Sequence, residues 1–177
     1  MAERHNNAQV VFELMLHEAA ANGDDRRIEE LQVYVKRGKI LINQPDVEWG
    51  NRTPLHCAAE SGNAKCVKLL LEAGANPYAR MTGGRTPAHC AAEAGQSDIL
   101  KVLIDNWTPI DIKDDYGDSP RKIAEIYGQK ECAELLKIAE EHPVRNYSFK
   151  SKRLWGTVQS FTEEIQDSVR NTSVAKK

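Results

Sequence analysis

The sequence predicts an all-α solenoid built from four stacked helical hairpins. The first observation is that the eleven residues beginning at Arg52 recur, nearly unchanged, 33 residues later at Arg85, and a more polar copy begins at Ser119, which is 33 residues after Thr86. The second is that each of these copies places a threonine or serine before a proline, which favours the first turn of a helix. The third is a glycine nine residues into each copy, which favours the left-handed conformation that ends a helix.

The first hairpin is the most divergent copy. Residues 14–23 keep a His-x-Ala-Ala segment and the glycine, but they lie 39 residues before the second copy, so the first copy carries six extra residues. Apolar residues at helical spacing continue through Val35, and we therefore expect an extended second helix in this copy.

The second and third hairpins set the pattern of the core. Alanine pairs keep their first helices thin enough for close stacking, and an aliphatic stripe follows the second helices. No single hairpin can bury this stripe, whereas four in a row can. The expected stripe consists of Ile28, Leu31, Val67, Leu70, Leu100, Leu103 and Leu136.

The fourth hairpin has the character of a capping repeat. Arg121 and Lys122 replace the Leu-His pair of the earlier copies, and Lys137 replaces Leu71 and Ile104. Pro143 then ends the helical pattern, because proline cannot continue the hydrogen-bond ladder.

A period of 33 residues with Thr-Pro-Leu-His-x-Ala resembles the ankyrin repeat, in which a β-turn finger precedes two antiparallel helices. The residues 74–76 and 114–120 follow the same family pattern. The resemblance covers about residues 10–141. We expect a flexible segment at 1–9, an ankyrin domain at 10–142 with repeats at about 10–44, 45–79, 80–112 and 113–142, and a tail at 143–177.

The resemblance implies a function in which finger tips and the exposed ends of the first helices line a groove that grips another protein. The residues so mapped are Trp49, Gly50, Arg52, Glu60, Ser61, Thr82, Gly83, Arg85, Glu93, Ala94, Asp115, Tyr116, Asp118, Ile126 and Tyr127. We expect Trp49, Arg52, Arg85 and Tyr116 to be the energetic anchors, since aromatic and arginine side chains dominate binding hot spots. An alternative for Trp49 is that it only packs under its own finger.

The tail differs from the repeats in charge. It holds seven basic and three acidic residues, and apolar residues spaced 4, 3, 4 and 4 apart from Leu154 to Val169 predict an amphipathic helix over about 152–170. Three interpretations stay open: the helix packs on the repeats, binds a partner, or meets an anionic membrane surface. The candidate contact residues are Lys152, Arg153, Leu154, Trp155, Val158, Phe161 and Ile165.

The composition and charge of the chain argue against several classes of protein. The chain has 177 residues, 24 basic against 26 acidic and a net charge of −2, which disfavours bulk nucleic-acid binding. No apolar run is long enough to span a bilayer, and no secretory signal pattern opens the sequence. The four cysteines fall within helical patterns, which is typical of reduced thiols. We expect a monomeric cytoplasmic protein, with a nuclear location left open.

Catalytic and metal-binding interpretations find little support in the motifs. His56-Cys57 and His89-Cys90 lie one repeat apart, but neighbouring helix residues point about 100° apart and the spacings of common zinc sites are missing. The family resemblance implies instead that the histidines hydrogen-bond within and between fingers. His56 and His89 each precede a glutamate by four residues, which predicts simple helix-face pairs. We expect no enzyme, no cofactor and no metal.

Overall fold

A computed structural model describes residues 14–141 of the chain, and the predicted flexible start and basic tail lie outside them. The described residues form eight helices and no strand; a single isolated bridge joins Asp46 and Arg52. The helices are α1 (residues 14–21), α2 (Asp25–Lys36), α3 (Pro54–Ser61), α4 (Ala64–Glu72), α5 (Pro87–Glu93), α6 (Ser97–Asp105), α7 (Pro120–Ile126) and α8 (Lys130–Glu141).

The predicted helix starts are confirmed in the last three hairpins. Helices α3, α5 and α7 begin at a proline that follows Thr53, Thr86 and Ser119, respectively. Proline is well suited to this position because the first helical N–H has no partner inside the helix. In α7 the Ser119 hydroxyl also accepts a hydrogen bond from the Lys122 N–H at 3.3 Å.

Each glycine turn joins the two helices of one hairpin and lies against the following hairpin. Gly62 and Gly95 have φ angles of +82° and +74°, which favour glycine, and the hairpins double back there. The side chain of the following repeat fills the space above each glycine, where Gln96 Nε2 donates to the Glu60 carbonyl and Gln129 Nε2 to the Glu93 carbonyl, both at 3.2 Å. These bonds fix the register of neighbouring hairpins.

The hairpins stack into two rows of helices. Helices α3, α5 and α7 pack side by side in an inner row, and α2, α4, α6 and α8 pack in an outer row. The alanine pairs at 58–59 and 91–92 are fully buried between the rows, and every residue of the predicted aliphatic stripe is buried. The all-α solenoid predicted from the repeats is therefore confirmed.

The first and fourth hairpins close the ends of the stack. Helix α2 has twelve residues whereas α4 and α6 have nine, so half of the six-residue insertion extends this helix as expected. In the fourth hairpin, Arg121 forms an ion pair with Glu140 at 2.9 Å, and Lys122 and Lys137 are exposed. Polar and charged side chains thus cover much of the last hairpin.

Candidate partner-binding surface

The finger tips form a continuous row along one edge of the stack. Each finger is closed by a backbone hydrogen bond, and neighbouring fingers are joined by two more, from the Thr82 N–H to the Gly50 carbonyl at 2.8 Å and from the Asp115 N–H to the Gly83 carbonyl at 3.0 Å. The predicted tip residues of the last three repeats are therefore held at fixed separations.

Buried histidines tie the inner helices α3 and α5 to the finger of the next repeat. The Thr53 N–H donates to His56 Nδ1 at 3.2 Å, and the opposite ring nitrogen lies 3.1 Å from the carbonyl oxygen of Arg85. Because a carbonyl only accepts, Nε2 carries the proton and the ring is neutral. Burial lowers the pKa of His56 to about 4.

The same arrangement recurs one repeat later. His89 accepts from the Thr86 N–H at 3.1 Å and reaches the Asp118 carbonyl at 3.1 Å, and burial lowers its pKa as well. The hydrogen bonds within and between fingers that the family resemblance implies are present. The predicted pairing of each histidine with the glutamate four residues later is wrong, because both rings turn into the protein interior.

The two glutamates instead pair with arginines of their own finger. Arg52 bonds Glu60, and Arg85 Nη1 lies 2.5 Å from Glu93 Oε2. Each pair joins the base of a finger to the far end of the inner helix, eight residues later. These four predicted residues are thus in direct contact and largely neutralise one another.

Aromatic side chains flank these ion pairs. The Arg52 guanidinium lies 5.4 Å from the centroid of the Trp49 ring, which remains 48% exposed. Tyr116 is 80% exposed at the fourth finger, and Tyr127, which follows α7, is 50% exposed. Trp49 therefore packs against its own finger and also presents half of its surface to solvent.

The remaining predicted residues are arranged less uniformly. The Ser61 hydroxyl donates to the Ala58 carbonyl at 3.0 Å, so it is engaged inside its own helix. Asp115 lies 3.7 Å from Arg80, whereas Thr82 and Ala94 are exposed. The predicted tail residues 152–165 fall outside the described residues.

Two residues organise the fingers in ways that the sequence analysis did not predict. Asp114 is buried, and its Oδ1 accepts hydrogen bonds from the N–H groups of Tyr116 and Asp118, both at 2.9 Å. Arg80 donates to the Lys113 carbonyl at 3.0 Å and so links the third finger to the fourth. The signal for Asp114 is an aspartate three residues before a glycine, a common pattern at the first position of a turn.

The cysteine thiols are buried in the core, and the histidines described above form structural hydrogen bonds. Cys57, Cys66 and Cys132 are buried, and burial raises their pKa values to about 11; that of Cys90 rises to about 12. Among residues 14–141, no three His, Cys, Asp or Glu side chains are grouped so that they could hold a metal ion. No helix of this part of the chain is both long and apolar enough to cross a membrane.

Comparison with known proteins places the repeats in a family. A model described as ankyrin repeats (many copies) matches residues 16–71 and 55–104, which together span half of the chain. The chain is 42% identical over 69 residues, 39% of its length, to alpha-latrotoxin-Lg1a of Latrodectus geometricus. It is 40% identical over 65 residues to human transient receptor potential cation channel subfamily A member 1 and 35% identical over 65 residues to human DNA-binding protein RFXANK, 37% of its length in each case.

These relatives are much longer than the matched region. The chain spans 4% of the toxin, 6% of the channel subunit and 23% of RFXANK, so the likeness concerns the repeats alone. Repeats of this kind are generally protein–protein interaction modules and typically non-catalytic. The family match and the 33-residue hairpins agree, and the chain belongs to the ankyrin repeat family.

Proposed function

We propose that this chain is an adaptor or scaffold that holds a protein partner against its finger tips and inner helices. The observation that carries the proposal is the row formed by Trp49, Arg52, Arg85, Tyr127 and Tyr116, in which exposed aromatic rings at the two ends flank two arginines on a rigid backbone. Aromatic and arginine side chains supply most of the energy at measured protein interfaces.

The rigidity of the row of finger tips supports the same proposal. Backbone bonds between fingers and the buried histidines hold the exposed side chains in place before a partner arrives. A preorganised surface binds more tightly because little conformational freedom is lost on association. The Arg–Glu pairs leave the second and third repeats nearly neutral, so apolar and aromatic contacts dominate there.

The finer parts of this function stay predictions. The domain limits at 10–142 and 143–177, the cytoplasmic location, the monomeric state and the lack of nucleic-acid binding are proposed from the sequence. The alternative, a regulatory subunit or membrane-surface binder that acts through the tail, concerns residues outside the described part of the chain. The resemblance of residues 46–54 and 117–130 to one small family member, ankyrin repeat domain-containing protein 66, also stays a prediction.

The test first identifies the partner by cross-linking and mass spectrometry in native lysate. It then compares how strongly the purified partner binds to variants that lack one or the other of two exposed tryptophans. We expect Trp49→Ala to weaken binding of the purified partner at least about tenfold, or about 1.4 kcal/mol, without lowering the thermal unfolding temperature. The matched control is Trp107→Ala, because Trp107 is 52% exposed but follows the outer helix α6.

Two results would contradict the proposal. One is a Trp49→Ala protein that binds the partner as tightly as the wild type while cross-links map away from the fingers. The other is a loss of binding that parallels an equal loss of thermal stability, which would assign Trp49 a packing role.

A further inference from the structure

The inner face of the fourth repeat departs from the pattern of the two before it. Asp118 stands 33 residues after Arg85, and Ile126 stands 33 residues after Glu93. Because Arg85 and Glu93 are in contact, the repeated backbone gives Asp118 and Ile126 the positions that this ion pair occupies in the third repeat. The fourth repeat therefore presents a carboxylate and an aliphatic side chain where the earlier repeats present an ion pair.

Further apolar surface surrounds these two residues. Ile126 is 58% exposed, Tyr127 is 50% exposed and Tyr116 is 80% exposed. We call Tyr116, Asp118, Ile126 and Tyr127 the fourth-repeat patch. Within residues 14–141, the Asp118 carboxylate takes part in no ion pair, so its charge is available to a basic group from outside.

Negative charge accumulates toward the same end of the stack. Residues 14–44 hold five basic and five acidic side chains, and each of the next two repeats has one more acidic than basic residue. Residues 113–141 hold eight acidic and five basic side chains. A basic segment is therefore attracted most strongly to the fourth repeat.

The chain itself carries a segment of this kind. Its residues 143–177 include seven basic and three acidic residues, and Leu154, Val158, Phe161 and Ile165 share one face at helical spacing. Lys152 and Arg153 immediately precede this stripe. Basic and apolar groups therefore occur together here, as acidic and apolar groups do in the fourth-repeat patch.

The segment between α8 and Leu154 is long enough for the tail to contact the fourth-repeat patch of its own chain. Helix α8 returns antiparallel to α7 and is about 18 Å long at 1.5 Å per residue, so its last residue, Glu141, lies about that far from Tyr127. The twelve residues between Glu141 and Leu154 span up to about 40 Å when extended. The segment can therefore reach the patch of its own chain without strain.

A second apolar cleft, of about 410 Å³, lies at the opposite end of the stack. Met15, Leu31, Val33 and Tyr34 line it together with Arg27, Arg37 and Glu30. Its two arginines and the neutral first repeat do not attract a basic segment. It is also three hairpins away from α8, or about 30 Å at the usual spacing between packed helices.

We infer that the tail docks on the fourth repeat of its own chain, with the stripe formed by Leu154, Val158, Phe161 and Ile165 on Ile126 and Tyr127, and with Lys152 or Arg153 against Asp118. The docked tail covers one end of the row of exposed side chains. A protein partner that needs Tyr116 or Tyr127 must then displace it.

The experiment uses the full chain with one spin label. The native cysteines are all buried and their thiols resist ionisation, so Ser160→Cys offers the one reactive site for a nitroxide. On the helix that the sequence predicts for the tail, residue 160 falls on the face away from the stripe. Broadening of amide signals by the nitroxide is read by NMR, and the reduced label gives the reference.

We expect the amides of Gly117, Asp118, Ile126 and Tyr127 to lose most of their intensity, while those of the first repeat keep theirs. The double variant Asp118→Arg/Ile126→Glu gives the fourth repeat the Arg–Glu pair of its neighbours and should abolish the broadening. The matched control, Leu41→Glu, changes an equally exposed apolar residue of the first repeat and should leave it intact.

A second measurement needs no label. Phe161→Glu should shift the amide signals of the fourth-repeat patch, whereas Gln159→Glu makes a closely similar charge change off the stripe and should not. Absence of both the broadening and this selective shift would overturn the inference.

Two other results would also overturn it. One is broadening confined to residues of the N-terminal cleft. The other is broadening that occurs only in a mixture of isotope-labelled and separately spin-labelled chains, which would mean contact between two copies. None of these results depends on a partner, so the proposed adaptor function is tested separately.

Discussion

In the second and third repeats a buried histidine joins the inner helix to the next finger, and an Arg–Glu pair closes the surface above it. In the fourth repeat Lys122 and Ile126 stand at the equivalent places, both exposed to solvent. The helices nevertheless start and stack in the same way. The comparison teaches that proline, glycine and buried aliphatic residues set the shape of the hairpin, whereas the other positions set its stability and surface.

The largest expected effect comes from removing one histidine link. His56→Ala leaves the buried Thr53 N–H without an acceptor and opens a cavity, which should cost about 3 kcal/mol of unfolding free energy in urea titrations. The equivalent change in the fourth repeat, Lys122→Ala, should alter stability by less than about 0.5 kcal/mol. Equal losses in the two variants would show that the histidine link contributes nothing special.

A smaller effect is expected from pH. His56 has a pKa of about 4 in the folded chain and about 6.5 in the unfolded chain. Below pH 6.5 the unfolded state therefore binds more protons than the folded state, and the free energy of unfolding decreases as the pH is lowered. From pH 6.5 to 5.0 this group alone should remove about 2 kcal/mol, and His89 acts in the same direction. The loss stops once the pH falls below the folded pKa.

Urea unfolding of the wild type and of His56→Gln at both pH values isolates this contribution. The variant has no titrating ring at the site, so its stability should fall less across the same interval. Identical pH dependence in the two proteins would contradict the neutral, doubly bonded ring.

The smallest expected effect is a difference in stability between substitutions at two glycine turns. Gly95→Ala and Gly128→Ala both place a side chain at a positive φ, which costs about 1 kcal/mol. At Gly95 the new methyl also meets Gln129, which must swing away and lose its bond to the Glu93 carbonyl, at a further cost of about 1 kcal/mol. Among residues 14–141, no atom beyond the chain neighbours lies within 4 Å of a Cβ added at Gly128. Thermal unfolding of both variants measures the difference, and equal shifts would contradict the role of Gln129.

The repeat pattern predicted the helices and turns of the hairpins well, because short local segments of sequence determine where each helix begins and ends. Thr53-Pro54 and Thr86-Pro87 start helices, Gly62 and Gly95 turn the chain, and the aliphatic stripe is buried. The extended α2 also followed from periodicity alone.

The arrangement of the surface depends on contacts that no helical spacing encodes. Arg52 and Glu60 are eight residues apart and meet only because the finger folds over the end of its helix. His56 was assigned to the helix surface with Glu60, whereas its ring turns inward to satisfy the Thr53 N–H and the Arg85 carbonyl. The burial of Asp114 likewise results from the finger geometry rather than from composition.

Three bonds that join the second repeat to the third recur between the third repeat and the fourth. His56 reaches the Arg85 carbonyl, and Asp118 offers the same carbonyl one period later; the Asp115 N–H and Gln129 are likewise copies of the Thr82 N–H and Gln96. A chain from which residues 80–112 were excised would therefore reclose with each of these three bonds replaced by its copy. The number of hairpins can vary without any redesign of the junctions between them.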